Sequence, residues 1–300
     1  MVKVFAPAKI NLTLHITGQR DDGYHEIDSI VTFATVGDEL FMTEAGVFSL
    51  TVEGPEAAGV PADMDNLALK AAQFAGAGRE AAITLTKNLP SSSGIGGGSA
   101  DAAAAWRGML VLGDAGETQA DTQYLMPEIT FETQVRALVK LGADVPMCVA
   151  SQPLRAQGIG DKITFHPLPP LYAVLVNPRV PVSTPEVFKA LASKTNPPMP
   201  EALPDFDTAA ALIDWLKTQR NDLEAPAIAI APEIGEVLNR LGALNNLGLA
   251  RMSGSGATCF ALFEDETHAK AAAKMLFEEH PDWWVVGCVL HDMFLTALPR

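Results

Sequence analysis

A chain of 300 residues, 48% hydrophobic and 19% charged, has room for about two domains and folds without disulfide staples, which excludes a disordered tail and a disulfide scaffold. Lys and Arg total 21 against 36 Asp and Glu, a formal charge of −15. Long-range attraction to nucleic acid or to an anionic membrane is therefore not expected, and any phosphate compound must be held by local groups against an unfavourable overall field.

Residues 10–16 alternate, with Ile10, Leu12, Leu14 and Ile16 on one side and Asn11, Thr13 and His15 on the other, which predicts a half-buried strand. Strands are expected at 28–36, 39–43 and 47–53, with a turn at Ala45-Gly46. A helical pattern runs from Asn66 to Ala75 and stops at Gly76, and 82–87 alternates as a strand. The stretch Pro90-Ser91-Ser92-Ser93-Gly94-Ile95-Gly96-Gly97-Gly98 is no regular element, and Ser99-Ala100-Asp101 opens a helix from Ala102 to Leu112 that stops at Gly113. A further helix is expected at 131–141.

Beyond about residue 155 the pattern is strand (172–176), helices (184–193, 207–218, 232–242), two strands (247–252, 257–263), helix (265–279) and strand (283–290). That order has the form of a split βαβ, ferredoxin-like layer. The expected fold is α/β (α+β) in two parts. An N-terminal part, 1–155, is a mixed sheet with helices that carries the chemical motifs. A C-terminal part, 156–300, is the split βαβ layer, and the site lies in the cleft between them. Cys148, Cys259 and Cys288 lack metal-ligand spacing and read as small buried hydrophobes. No apolar run approaches the ~18 residues of a membrane span, and the N-terminus has no signal-peptide core, so a cytoplasmic location is expected.

A strand, a glycine-rich loop and a helix start in sequence gather free backbone N–H groups and the positive end of a helix dipole, a place suited to phosphate. Ser99 can cap that helix, or give its hydroxyl to a phosphate or a metal ion. The loop is not a Walker A loop, which needs a lysine near its end, and Ser99 stands where a dinucleotide fingerprint has its third glycine. Three other clusters stand out. Lys9 lies in Pro7-Ala8-Lys9-Ile10-Asn11, with Asp22-Gly23-Tyr24-His25-Glu26 shortly after it. Asp144 lies in Gly142-Ala143-Asp144-Val145-Pro146. The last is Ser253-Gly254-Ser255-Gly256, between two strands. Taken singly, these read equally as a solvated lysine, a surface turn, a helix-capping aspartate and a tight hairpin.

Together they resemble the motifs of the small-molecule kinases named for galactose, homoserine, mevalonate and phosphomevalonate, over residues 5 to about 260. Asn221-Asp222-Leu223-Glu224 also looks like a segment of that family. The family often has glycine near position 92 and leucine at 95, where this chain has Ser92 and Ile95. The resemblance implies ATP as phosphoryl donor, Mg²⁺ with it, and residues 90–100 holding the nucleotide phosphates. It implies Asp144 as the group that accepts the proton of the attacking hydroxyl, with Lys9 beside it. Asp22 to Glu26 and Gly142 to Pro146 narrow the implied acceptor to the 2-hydroxyl of 4-diphosphocytidyl-2-C-methyl-D-erythritol, a step of non-mevalonate isoprenoid precursor synthesis. Tyr24, His25 and Phe188 would then hold the cytidine and Asn11 the erythritol hydroxyls, although Phe188 reads equally as a core residue. A sister kinase acting on mevalonate, homoserine or a sugar, a non-enzymatic nucleotide-binding protein on the same scaffold, and a Rossmann dehydrogenase are the alternatives.

Overall fold

The computed structural model describes residues 1–76, 78–112 and 137–300. Its centre is β3 (His25–Ala45), a single strand of 21 residues where the sequence suggests two. Gly37 lets the strand run on, because a Cβ there would lie 2.8 Å from the Ala6 carbonyl carbon of the neighbouring strand and nearer still to its oxygen. That neighbour, β1 (Val2–Asn11), pairs antiparallel with β3 and shifts register between Pro7 and Lys9. Pro7 has no N–H to give to a ladder, so the irregularity falls where a donor is missing.

β2 (His15–Gln19) returns to β3, so the alternating segment 10–16 is broken after Asn11 and is not one strand. It is not half-buried either: Asn11, Thr13 and His15 are as covered as the apolar residues between them. β4 (Ser49–Glu53) lies parallel to β5 (Glu80–Thr86), which pairs with β3. Between them, α1 (Leu67–Ala75) starts at Asn66, whose side chain accepts the Ala68 N–H, and ends at Gly76. α2 (Gly97–Val111) packs against α1 with an almost continuous run of buried residues, Ala102 to Ala105 among them, small enough to let two helices and a sheet approach closely.

α3 (Val145–Ala150) is a short helix that the sequence reading missed, as it missed the hairpin of β6 (Leu154–Gly158) and β7 (Lys162–Phe165) against β3. Six or fewer residues carry too little periodicity to register. Of the helix expected at 131–141, residues 131–136 lie outside the described residues, as does the Gly113 stop.

The C-terminal unit follows the expected order. β8 (Leu171–Asn177), β9 (Leu249–Met252), β10 (Cys259–Phe263) and β11 (Trp284–His291) lie in the order β11-β8-β10-β9, all antiparallel. Helices α4 (Thr184–Lys189), α5 (Ala209–Lys217), α6 (Glu224–Ile230) and α7 (Glu233–Gly242) separate its first two strands. Helix α8 (Glu266–Glu279), capped by Asp265, separates its last two. This is the split βαβ arrangement. β11 also pairs with β3 through Leu290–Ala34 and His291–Phe33, so both units share one sheet. A core of Ile10, Leu12, Ile95, Leu175 and Phe260, all fully buried, spans the junction and fixes one unit against the other. Cys148 and Cys259 are buried and Cys288 is partly so.

Candidate active site

The glycine-rich loop is held by atoms from two separate segments, the end of β1 and the connection from Ser253 to Thr258. The Lys9 N–H donates to the Ile95 carbonyl at 2.9 Å and the Thr258 N–H to the Ser93 carbonyl at 3.0 Å. The Ser253 hydroxyl donates to the Gly94 carbonyl at 3.1 Å and accepts the Asn11 N–H at 3.1 Å. The 253–256 segment is therefore more than a hairpin turn. Its tip is clamped by Asn221, whose amide donates to the Met252 and Gly254 carbonyls, and the adjoining Met252 N–H donates to Glu224. Ile95 is fully buried and plugs the loop to the core, while Ser92 takes a φ of 51°, a left-handed conformation that glycine adopts freely.

Gly96, at φ 66°, is the N-cap of α2, and Ser99 lies in its first turn, so Ser99 is not the cap. The cap has no side-chain bond, which leaves the first N–H groups of a buried helix pointing at the loop opening. Gly94 is the position least open to change. At φ 75°, a Cβ would sit 2.7 Å from the Gly256 carbonyl oxygen and closer still to that of Ser253. Gly94→Ala is expected to lower the melting temperature by several degrees, since strain and overpacking each cost on the order of 1–3 kcal/mol. A thermal melt beside the unchanged protein checks this.

Lys9 and Asp144 meet here. Lys9 Nζ stands 2.9 Å from Asp144 Oδ2 and donates to Asn11 Oδ1 at 2.7 Å. The Asn11 amide nitrogen donates in turn to Ser29 Oγ at 2.8 Å, which fixes which end of the amide faces the lysine. The Lys9 stem lies along the loop, because a Cβ at Gly96 would be 3.1 Å from Lys9 Cε. The Lys9 side chain is 4% exposed and that of Asp144 38%, so the carboxylate is the member of the pair open to an incoming molecule. Asp144 begins α3 with its side chain free of any cap bond. The Gly142 turn abuts α2, where a Cβ would stand 3.9 Å from Ser99 Oγ. An ammonium, a carboxylate and a set of free amides thus converge at the start of one helix.

The aromatic residues are arranged less simply. Tyr24 is 59% exposed, its N–H bound to Asp22 Oδ1. The ring facing Phe188 is that of His25, with centroids 4.8 Å apart. Phe188 is partly buried and packs on the C-terminal core. Burial, and then the charge of Lys194, lower the His25 pKa, which leaves a neutral ring able to donate from one nitrogen and accept at the other.

Sequence reasoning overlooked two buried cations that support this geometry. Lys87 bridges Asp38 and Asp101, the latter at 2.7 Å, and a Cβ at Gly97 would be 3.6 Å from its ammonium. Asp38 also accepts the Asn88 and Leu89 N–H groups at 2.6 and 2.9 Å, so one carboxylate ties the strand before the loop to the helix after it. Burial would lower the Lys87 pKa, but the two carboxylates outweigh it and raise it. Burial raises that of Asp101 well above the carboxylate range, against the pull of Lys87. Arg107, fully buried on α2, donates to the Cys148 and Phe5 carbonyls and so ties α3 and β1 to that helix. Burial lowers its pKa to about 10. For Arg107 the signal available in the sequence was a pair of charges, Asp101 and Arg107, within the alanine-rich run 100–109.

Two family models match the chain, GHMP kinases N terminal domain over residues 66–152 and GHMP kinases C terminal over 199–282. A protein named 4-diphosphocytidyl-2-C-methyl-D-erythritol kinase from Roseobacter denitrificans is 49% identical over all of this chain and 97% of its own length. One of the same name from Dinoroseobacter shibae is 52% identical over 95% of this chain and 94% of its own. A crystal structure of 4-(cytidine 5'-diphospho)-2C-methyl-D-erythritol kinase superposes with a TM-score of 0.70 at 31% identity, covering 96% of this chain and 99% of that one. A homoserine kinase from Cytophaga hutchinsonii, at 18% identity and TM-score 0.65 over 100% of this chain and 96% of its own, shares the fold.

Proposed function

This chain belongs to the GHMP kinases and, within them, to the 4-diphosphocytidyl-2-C-methyl-D-erythritol kinases, and from that premise we propose that it transfers the γ-phosphoryl group of ATP to the 2-hydroxyl of 4-diphosphocytidyl-2-C-methyl-D-erythritol. It is a small-molecule kinase. The observation that carries the reading is the 2.9 Å contact of Lys9 with Asp144 beside the Gly96 turn. Phosphoryl transfer asks a protein mainly for positioning and for neutralisation of charge, and these groups supply both.

In this reading the amides of the loop and of the first turn of α2 bind the nucleotide phosphates. Asp144, the exposed carboxylate, takes the proton of the attacking hydroxyl. Lys9 holds Asp144 in place through their 2.9 Å contact and opposes the negative charge of the transferring group. Asn11 orients Lys9 through its oxygen and, in this reading, stands beside the hydroxyls of the polyol. Mg²⁺ accompanies ATP and supplies further charge neutralisation when bound. The fit to this chain is fair: Ser99 Oγ, between the loop and the Asp144 turn, is an oxygen donor able to hold it, and this ion commonly keeps most of its ligands as water. The N-terminal part, expected over 1–155 and prolonged through the β6–β7 hairpin that pairs with β3, then carries the nucleotide and catalytic groups, and the C-terminal part from β8 onward contributes Phe188 and the Ser253 clamp. A place in the cytoplasm and in non-mevalonate isoprenoid synthesis belongs to the same reading, and none of the helices among the described residues is long and apolar enough to cross a membrane.

Purified protein should consume ATP when 4-diphosphocytidyl-2-C-methyl-D-erythritol is present and leave mevalonate and homoserine unphosphorylated. Equal turnover of mevalonate would refute the acceptor. Stacking on a base is worth about 1–3 kcal/mol, so Tyr24→Ala is expected to raise KM for the cytidylyl substrate roughly tenfold and to leave that for ATP unchanged. Equal shifts in the two constants would remove Tyr24 from the cytidine slot.

A further inference from the structure

Arg179 stands directly after β8 in a loop that neither the sequence motifs nor the proposed mechanism uses. Its backbone is left-handed at φ 60°, unusual for a residue other than glycine, and is held so by its own N–H donating to Asn177 Oδ1 at 2.7 Å. The guanidinium grips Glu56 with two bonds, 2.9 and 2.7 Å. Glu56 belongs to the connection between β4 and α1, far away in sequence.

Both ends of that pair are tied to the phosphate loop. On one side, the Glu56 N–H donates to the Lys87 carbonyl at 3.1 Å, just ahead of the loop. On the other, the Asn177 amide donates to Thr258 Oγ1 at 2.9 Å, and the Thr258 N–H donates to the Ser93 carbonyl within the loop. The contacts close a ring around residues 87–93, with the Arg179–Glu56 pair as its outer arc. Among the described residues, Lys9, Lys87 and Arg179 are cations tied to this loop. Lys9 and Lys87 are buried, each against two partners, whereas the Arg179 side chain is 46% exposed and its partner carboxylate 9%. On a chain of charge −15, an exposed guanidinium at the rim of a phosphate site is where a polyanion finds compensation.

We propose that Arg179 is a nucleotide-binding residue: the polyphosphate of ATP competes with Glu56 for its guanidinium, and Glu56 parks the side chain when the site is empty. This rests on the kinase reading above. The two partners then have opposite effects. Arg179→Gln is expected to weaken ATP binding roughly fivefold to tenfold, as befits a half-exposed charge-assisted contact, and Glu56→Gln to tighten it about twofold to fivefold. Arg179→Gly suits the left-handed backbone and removes only the side chain, so it should match Arg179→Gln even if the latter folds poorly.

Calorimetric titration of ATP into each full-length variant, without the alcohol, reads the proposal independently of turnover. KM for ATP and for the alcohol in the complete reaction provides the second reading, and only the former should move. A strap that merely braces the fold would make both substitutions shift ATP affinity in the same direction. That result, or an Arg179→Gly protein with unaltered ATP affinity, overturns the proposal. Wild-type protein that binds ATP but phosphorylates no alcohol would instead refute the kinase reading and leave the titration informative.

Discussion

Asp144→Asn is expected to lower kcat by about 10²- to 10⁴-fold, with KM for ATP within about twofold of wild type. The amide keeps the size of the side chain and can still accept a hydrogen bond from Lys9, but it cannot take up a proton. Asp144 makes no side-chain cap bond to α3, and that helix is secured by Arg107 through the Cys148 carbonyl, so folding should scarcely change. Removing a half-open ion pair costs on the order of 1 kcal/mol or less, too little to mimic a catalytic defect in a thermal melt. A variant with near-normal kcat would show that the attacking hydroxyl loses its proton elsewhere, and would dissolve the role given to this carboxylate.

The second large effect is expected at Lys9. Lys9→Met preserves the apolar stem against Gly96 and removes the charge. Electrostatic stabilisation of a transferring group is commonly worth roughly 10²- to 10³-fold in kcat, and a loss of that order is expected. A further signature separates this from loss of fold. KM for ATP should rise severalfold, because the site loses a cation beside the loop, whereas in Asp144→Asn it should not. Steady-state kinetics over a range of ATP concentrations in both proteins test this. A Lys9→Met protein with near-normal kcat would leave Lys9 as a strut for Asn11 and the loop.

Much of this site was legible before any coordinates. The loop from Pro90 to Gly98 declares itself because glycine and serine in such density cannot continue a strand or a helix, and the run of alanines after it can only be a helix. Local stereochemistry also placed helix starts near Asn66 and Asp265 and the strand–helix–strand order from residue 172 onward, while their role as caps came from the structure. What escaped was of two kinds. Short elements such as α3 and the β6–β7 hairpin offer too few residues for a period. The buried charges, Lys87, Asp38, Asp101 and Arg107, look in sequence like any solvated polar group; only the covering layers reveal that each must find a partner. The pairing of His25, rather than Tyr24, with Phe188 was not legible, since it depends on where α4 packs.

The amino-acid order by itself determined the local pieces: where the backbone turns, where it coils, and which short runs carry an ammonium, a carboxylate or a cradle of amides. Tertiary structure alone decided that these runs share a site. The register of β1 on β3 delivers Lys9 to Gly96, the packing of Arg107 against α3 presents Asp144 to Lys9, and Ser253 arrives from the far end of the chain to lock Gly94. The reason is that turn and helix preferences act between neighbours in sequence. The convergence of groups remote in sequence is set by strand register and by the requirement that one shared core bury its apolar faces, which no local pattern records.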